Sequence, residues 1–178
     1  MDLITGVINE EWRSITGYIN YQVSNIGRVR NVKKGRIFHQ SIDTNGYCYV
    51  KLRDGSKPTN CRVQRLVAKE FLDNPQNKPF VDHIDRNKLN NCINNLRWVT
   101  NQENQMNAPK TKNITSSKYK GLSWNKACNK WKGHIKLNGK LIHLGYFDDE
   151  KGAARAYNNK ALEIFDDYAC LNEISDNE

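Results

Sequence analysis

The chain has 178 residues of which only 38% are apolar, a balance that argues against one large buried core and for small modules strung along a ligand. No apolar run approaches the roughly 18 residues needed to cross a membrane. Met1-Asp2-Leu3-Ile4-Thr5 lacks the basic region and apolar core of a signal peptide, so a cytoplasmic protein without a membrane partner is expected. Residues 1–147 hold 25 Lys and Arg against 10 Asp and Glu, and residues 148–178 hold 3 against 9. From Asn104 to Phe147 there is no acid at all, which is the electrostatic footprint of a polyanion binder; the stretch contains no basic amphipathic helix of the kind that lies on a membrane.

Residues 10–60 alternate in short runs such as Tyr21-Gln22-Val23 and Tyr47-Cys48-Tyr49-Val50-Lys51-Leu52, broken at Asn25-Ile26-Gly27, Asn45-Gly46 and Asp54-Gly55. These are hairpin signals and predict a small antiparallel sheet. From Arg62 the period changes, with Val63, Leu66, Val67 and Phe71 on one helical face, and Pro75 and Pro79 close the segment. Phe80-Val81 begins a strand ending at Asp82-His83; a polar loop follows from Asp85 to Asn95, and Leu96-Arg97-Trp98-Val99 returns as a second strand. Thr100 is placed as an N-cap with Glu103 completing a capping box, so a helix bearing Asn104 in its first turn should start there.

Asn107 to Ser117 is polar with one Pro and reads as an extended basic linker, after which strands are expected near 119–124, 130–137 and 140–146. Asn138-Gly139 supplies the tight turn between the last two. A helix is expected from about Asp149 to Phe165, where Ala153, Tyr157 and Ala161 recur every four residues and the acids at 148–150 suit a helix N-terminus. Five scattered cysteines without a Cys-x-x-Cys pair exclude a zinc knuckle and point to reduced thiols.

Hydrolysis of a phosphodiester needs a base to deprotonate water and a cation to offset charge on the phosphate and the leaving oxygen. His83 suits the first task, since imidazole ordinarily titrates near neutrality. One carboxylate and one amide oxygen, Asp82 and Asn104, suit a hard cation that keeps several waters, Mg²⁺ or Mn²⁺. Side chains alternate along a strand, so Asp82 and His83 can converge on one phosphate only if the strand ends or bends there. Asn95 is placed to brace the loop by side-chain to backbone hydrogen bonds.

Val81-Asp82-His83-Ile84-Asp85, with Asn90-Asn91, Asn95-Leu96, Trp98-Val99-Thr100 and Asn104, closely resembles the HNH homing endonucleases of phages and mobile introns. Upstream, Glu11-Trp12-Arg13, Gly17-Tyr18, Tyr21-Gln22-Val23-Ser24-Asn25 and Gly27-Arg28-Val29-Arg30 resemble the nuclease-associated modular element that precedes such domains. Downstream, Tyr119-Lys120-Gly121-Leu122, Trp131, Leu144-Gly145-Tyr146-Phe147 and Ala153-Ala154-Arg155-Ala156-Tyr157 resemble the Apetala-two, ethylene-response type of DNA-binding domain. The resemblance implies an α+β, modular chain: an N-terminal element over 1–60, a ββα-metal nuclease core over 61–106, a linker over 107–117, and a three-stranded sheet plus one helix over 118–178.

It further implies a phage- or mobile-element-encoded endonuclease in which His83 is the general base, Asp82 and Asn104 hold one divalent metal, and Asn95 braces the loop, leaving 5′-phosphate and 3′-hydroxyl ends. The alternative is a sequence-specific DNA-binding regulator that does not cleave. Double-stranded DNA is the expected partner, bound by a monomer on an extended asymmetric site. Arg28 and Arg30 form a basic cluster, Arg65 is placed on a phosphate, and Lys110 and Lys112 form a groove-following arm. Lys132, His134 and Lys136 share one face of their strand. The Apetala-two resemblance adds Lys120, Ser123, Asn125 and His143 to a face able to enter the major groove. Two departures stand out: Gln64 where relatives often have His, and Asn104 where the family name expects His.

Overall fold

A computed structural model describes residues 9–55, 57–110 and 116–175. The chain folds as two compact units, residues 1–100 and 101–178, so the expected boundaries after 60 and 106 do not coincide with the division between units.

The first unit opens with a four-stranded antiparallel sheet of β1 (Trp12–Ile15), β2 (Tyr18–Ser24), β3 (Val29–Asn31) and β4 (Arg36–Ile37). A second sheet follows, β5 (Ser41–Ile42), β6 (Cys48–Leu52) and β7 (Thr59–Arg62), where a single small sheet was expected. Helix α1 (Val63–Phe71) starts directly from β7 and buries Val63, Leu66 and Val67, the face its period predicted. A hairpin of β8 (Phe80–His83) and β9 (Leu96–Val99) pairs Asp82 with Arg97 and His83 with Leu96. One apolar cluster runs through all of it: Val23 and Val29 from the first sheet, Val50 and Leu52 from the second, Val67 from the helix and Leu96 from the hairpin. The N-terminal sheets are therefore part of the same core as the hairpin.

The second unit begins with α2 (Asn101–Asn107), one residue after β9, with Thr100 at the N-cap position. Strands β10 (Leu122–Asn125), β11 (Lys130–Leu137) and β12 (Lys140–Phe147) form an antiparallel sheet covered by α3 (Glu150–Phe165). Asp149 caps α3, its Oδ1 accepting from the Gly152 N–H at 2.6 Å. The 138–139 turn places both residues at positive φ, 51° and 78°, the backbone that a two-residue hairpin matching the strand twist requires. Ala153, Ala154, Tyr157 and Ala161 of α3 pack with Leu122 and Ile135 of the sheet. The expected α+β class is borne out in both units. No helix among the described residues is long and apolar enough to cross a membrane.

Candidate active site and nucleic-acid interface

His83 is the last residue of β8, and the strand stops there because the chain turns at once: Arg86 N–H returns to His83 O at 2.9 Å, with Arg86 itself at φ 64°. Both Asp82 and His83 are buried, at 8% and 4% exposure. The Asp82 carboxylate receives the Arg97 guanidinium from the paired strand, at 3.1 Å from Nε and 3.0 Å from the terminal nitrogen. A buried carboxylate needs such a partner to remain ionised.

The His83 ring is held from the loop. Its Nε2 lies 3.1 Å from Asn91 Oδ1, while Asn91 Nδ2 donates to Leu89 O at 3.3 Å. With the amide nitrogen so engaged, Asn91 presents an oxygen to the ring. An amide oxygen only accepts, so in this pairing Nε2 is the donor. Tyr47 stacks on the same ring, with centroids 6.0 Å apart and planes inclined by 30°. Arg62 and Lys88 sit over the Tyr47 ring at 4.5 and 4.6 Å.

The loop is built on side-chain amides. Asn95 Nδ2 donates to Asp85 Oδ1 and to Asn90 O, both at 2.8 Å, and its Oδ1 accepts from Asp85 N–H at 2.9 Å. Burial pushes the Asp85 carboxyl up, but hydrogen bonds from Asn90, the Asn87 N–H and Asn95, together with the charge of His83, outweigh it and hold the group below its ordinary range. Behind the loop stands the first sheet. Asn25 O accepts from Ile93 N–H at 2.7 Å, and Gly27, at φ +84°, lies so close that a Cβ there would be 2.7 Å from Asn91 Cβ.

Residues 61–106 match the family profile described as HNH endonuclease, and residues 10–53 match the NUMOD4 motif. The segment 61–106 is thus similar to HNH endonuclease domains. The chain is 45% identical over 100 residues to DNA endonuclease I-HmuI of Bacillus phage SP01, covering 54% of this chain and 58% of that one. A solved structure described as DNA binding and cleavage by the HNH homing endonuclease I-HmuI superposes with a TM-score of 0.52 at 43% identity, covering 55% of this chain and 56% of that one. A stretch of 49 residues is 39% identical to APETALA2-like protein 2 of Oryza sativa subsp. indica, 28% of this chain and 11% of the relative. The chain thus spans little more than half the length of I-HmuI.

Around His83, Asn91 and Tyr47 are the positions to which sequence reasoning gave no role. Asn91 hid among loop asparagines, and Tyr47 lies 36 residues upstream of His83 in the second sheet, so no local spacing links them. Asn104 falls on α2, in the second unit. Gln64 is buried at 3% exposure with its Oε1 lacking a partner among the described residues, and its neighbour Arg65 is exposed. Among the described residues no three His, Cys, Asp or Glu side chains gather as a metal cage; a hard cation held by two protein oxygens, a substrate phosphate and waters does not need one.

The basic positions divide by what they touch. Arg28 pairs with Glu10 and lies over the Trp12 ring, and Arg30 binds Gln22 and covers the same ring at 4.2 Å. Lys110 donates to Tyr119 O at 2.8 Å, and burial lowers its pKa. Lys120 donates to carbonyls of the α2 end. Lys112 lies outside the described residues. On the sheet face turned away from α3, Lys132 stands opposite Ser123 and Tyr146, and His134 stands opposite His143. Lys136 pairs with exposed Leu141, and Asn125 with Lys130. Leu144 is an extra residue between the Gly133–Gly145 and His134–His143 pairs, and the bulge keeps His143 on the outer face and Leu144 against the core. Burial chiefly, then Lys132, Lys110 and His143, lowers the His134 pKa.

Proposed function

We propose that this protein is a site-specific, metal-dependent DNA endonuclease of the homing type, encoded by a phage or mobile element and acting in the cytoplasm. The observation that carries the reading is the buried His83 imidazole, held through Nε2 by Asn91 and next to Asp82 in the segment that matches the HNH profile. His83 takes a proton from the attacking water. Asn91 and Tyr47 fix the ring, and the Asn95 network keeps the loop from collapsing into the space a phosphate must occupy.

Asp82 and Asn104 are an all-oxygen donor pair that fits one Mg²⁺ or Mn²⁺. When bound, the ion offsets charge on the phosphate and on the leaving 3′ oxygen, which accords with 5′-phosphate and 3′-hydroxyl products. Arg97 fastens the Asp82 carboxylate to the paired strand. Double-stranded DNA is read by the outer face of β10–β12 through Ser123, Asn125, Lys132, His134, Lys136 and His143, and one monomer spans an extended asymmetric site. Lysines on this face give phosphate contacts, so discrimination rests on Asn125, His134 and DNA shape.

The test is to incubate the purified chain with supercoiled DNA containing the flanks of its own gene, with Mg²⁺ or with chelator, beside His83→Ala. Metal-dependent nicked or linear DNA from the native chain, with His83→Ala still binding but not cutting, is the expected result. Equal cutting by His83→Ala removes it as the base. Salt-sensitive binding without cutting on the true site identifies a regulator instead.

A further inference from the structure

The lysine at position 120, which its motif places on a DNA-reading sheet, is turned instead toward the helix that carries Asn104. Its Nζ donates to Ala108 O at 2.6 Å, to Met106 O at 2.9 Å and to Gln105 O at 3.5 Å. These carbonyls lie at and just beyond the C-terminus of α2, where a helix leaves its last carbonyls without intrahelical partners and gathers the negative end of its dipole.

The other end of the lysine is fixed as firmly. Asn172 Oδ1 accepts the Lys120 N–H at 2.6 Å and Asn172 Nδ2 donates to Lys120 O at 3.1 Å. Asn172 is itself tied to Asn158 of α3 by two hydrogen bonds of 2.7 and 2.9 Å. Met106 packs against the core between α3 and the sheet. A continuous series of hydrogen bonds therefore runs from α3 through Asn172 and Lys120 to the end of α2.

We infer that Lys120 is a positioning residue for Asn104, fastening the helix that bears this metal ligand to Asn172 and α3 within its own unit; the inference rests on the ligand role proposed above. Helix α2 has seven residues, and isolated helices shorter than about 12–15 residues are marginal in water. Its order must come from what holds it, and the ammonium takes the place of the turns it lacks. Asn104 lies only one to four positions from the three carbonyls, so loosening that end loosens the ligand.

Lys120→Met removes the ammonium and keeps the stem; Lys120→Arg keeps a cation able to donate to several carbonyls. In the metal-free, DNA-free full chain, hydrogen exchange of the 101–107 amides should be about tenfold faster in Lys120→Met, with β11 and β12 unchanged. The Mn²⁺ concentration for half-maximal cleavage should rise about fivefold or more, because a ligand present in only part of the population weakens apparent affinity in proportion. DNA affinity measured in chelator should stay within about twofold, and Lys120→Arg should restore all three readouts.

Unchanged exchange over 101–107 overturns the inference. So does a loss of DNA affinity with wild-type exchange, which would make Lys120 a DNA contact. If Lys120→Met unfolds the sheet, seen as fast exchange in β11, Lys120→Gln replaces it in the same readouts. Asn104→Ala is run alongside: should it cut with wild-type metal dependence, the ligand reading fails, while hydrogen exchange still decides whether Lys120 holds the helix.

Discussion

Gly27→Ala should damage the proposed active site from behind. A Cβ there would sit 2.7 Å from Asn91 Cβ and 3.0 Å from Asn91 O, whereas non-bonded carbons rest about 3.5–4.0 Å apart, so Asn91 has to retreat by about 1 Å. The backbone at φ +84° adds about 1–2 kcal/mol for any L-side chain, and overpacking adds about 1–3 kcal/mol. The first unit should therefore lose about 2–5 kcal/mol of stability, the sum of those two effects. Because Asn91 Oδ1 holds His83 Nε2 at 3.1 Å, the same shift releases the imidazole, and single-turnover nicking should fall about 100-fold, as expected for a catalytic group misplaced by about 1 Å. Gly35→Ala is the control: its φ is +60° with nothing within 4 Å, so it bears only the backbone cost of about 1–2 kcal/mol and leaves nicking intact. Stability is read at the β6 amides by native-state hydrogen exchange under urea, and nicking with saturating metal on the cognate site. Gly27→Ala matching Gly35→Ala in both would refute the claim that the first sheet braces the catalytic loop.

Asn95→Ala removes three hydrogen bonds around Asp85 and Asn90 and leaves buried groups unpaired, so urea unfolding should show a loss of about 1–3 kcal/mol, and cleavage should fall with it. For Asp43, the Tyr47 N–H contributes most to a lowered pKa, with burial opposing and Arg62 and the Asn45 N–H assisting; Asp85 is lowered as well. Groups with depressed folded pKa values bind protons first in the unfolded chain. The stability they give is complete above the ordinary carboxylate range and is lost as pH falls through it; the acid limb of an unfolding titration should flatten in Asp43→Asn and Asp85→Asn. Lys136→Ala and Lys132→Ala should each weaken DNA binding across sequences and reduce the salt-dependence slope by about 1, and an unchanged slope would take that lysine off the phosphate backbone.

Much of the fold is legible without coordinates because it rests on local rules. Val63, Leu66 and Val67 mark one helical face and are buried together; Ala153, Tyr157 and Ala161 do the same for α3; Asn138-Gly139 names its own turn. In each case the residues that define the pattern lie within one or two turns of one another, so period and turn chemistry suffice. The site is legible only in part. Asp82, His83 and Asn95 occur in a short, ordered stretch, but the partner of the His83 ring is one of several loop asparagines, and nothing in their spacing says which side chain meets it.

By itself the sequence determined the α+β class, the strand, loop and strand of the HNH segment, the candidate base and ligands, and the separation of positive from negative charge along the chain. These follow from side-chain type and short-range periodicity. Tertiary structure decided which residues those groups meet. It merged the N-terminal sheets and the β8–β9 hairpin into one core, put Tyr47 against the His83 ring and Gly27 against Asn91, paired Asp82 with Arg97, and turned Lys120 from the sheet face to the end of α2. Such contacts join distant residues, Gly27 and Asn91 being 64 positions apart. They depend on how whole elements pack to bury apolar surface, a property of the assembled unit that no window of sequence contains.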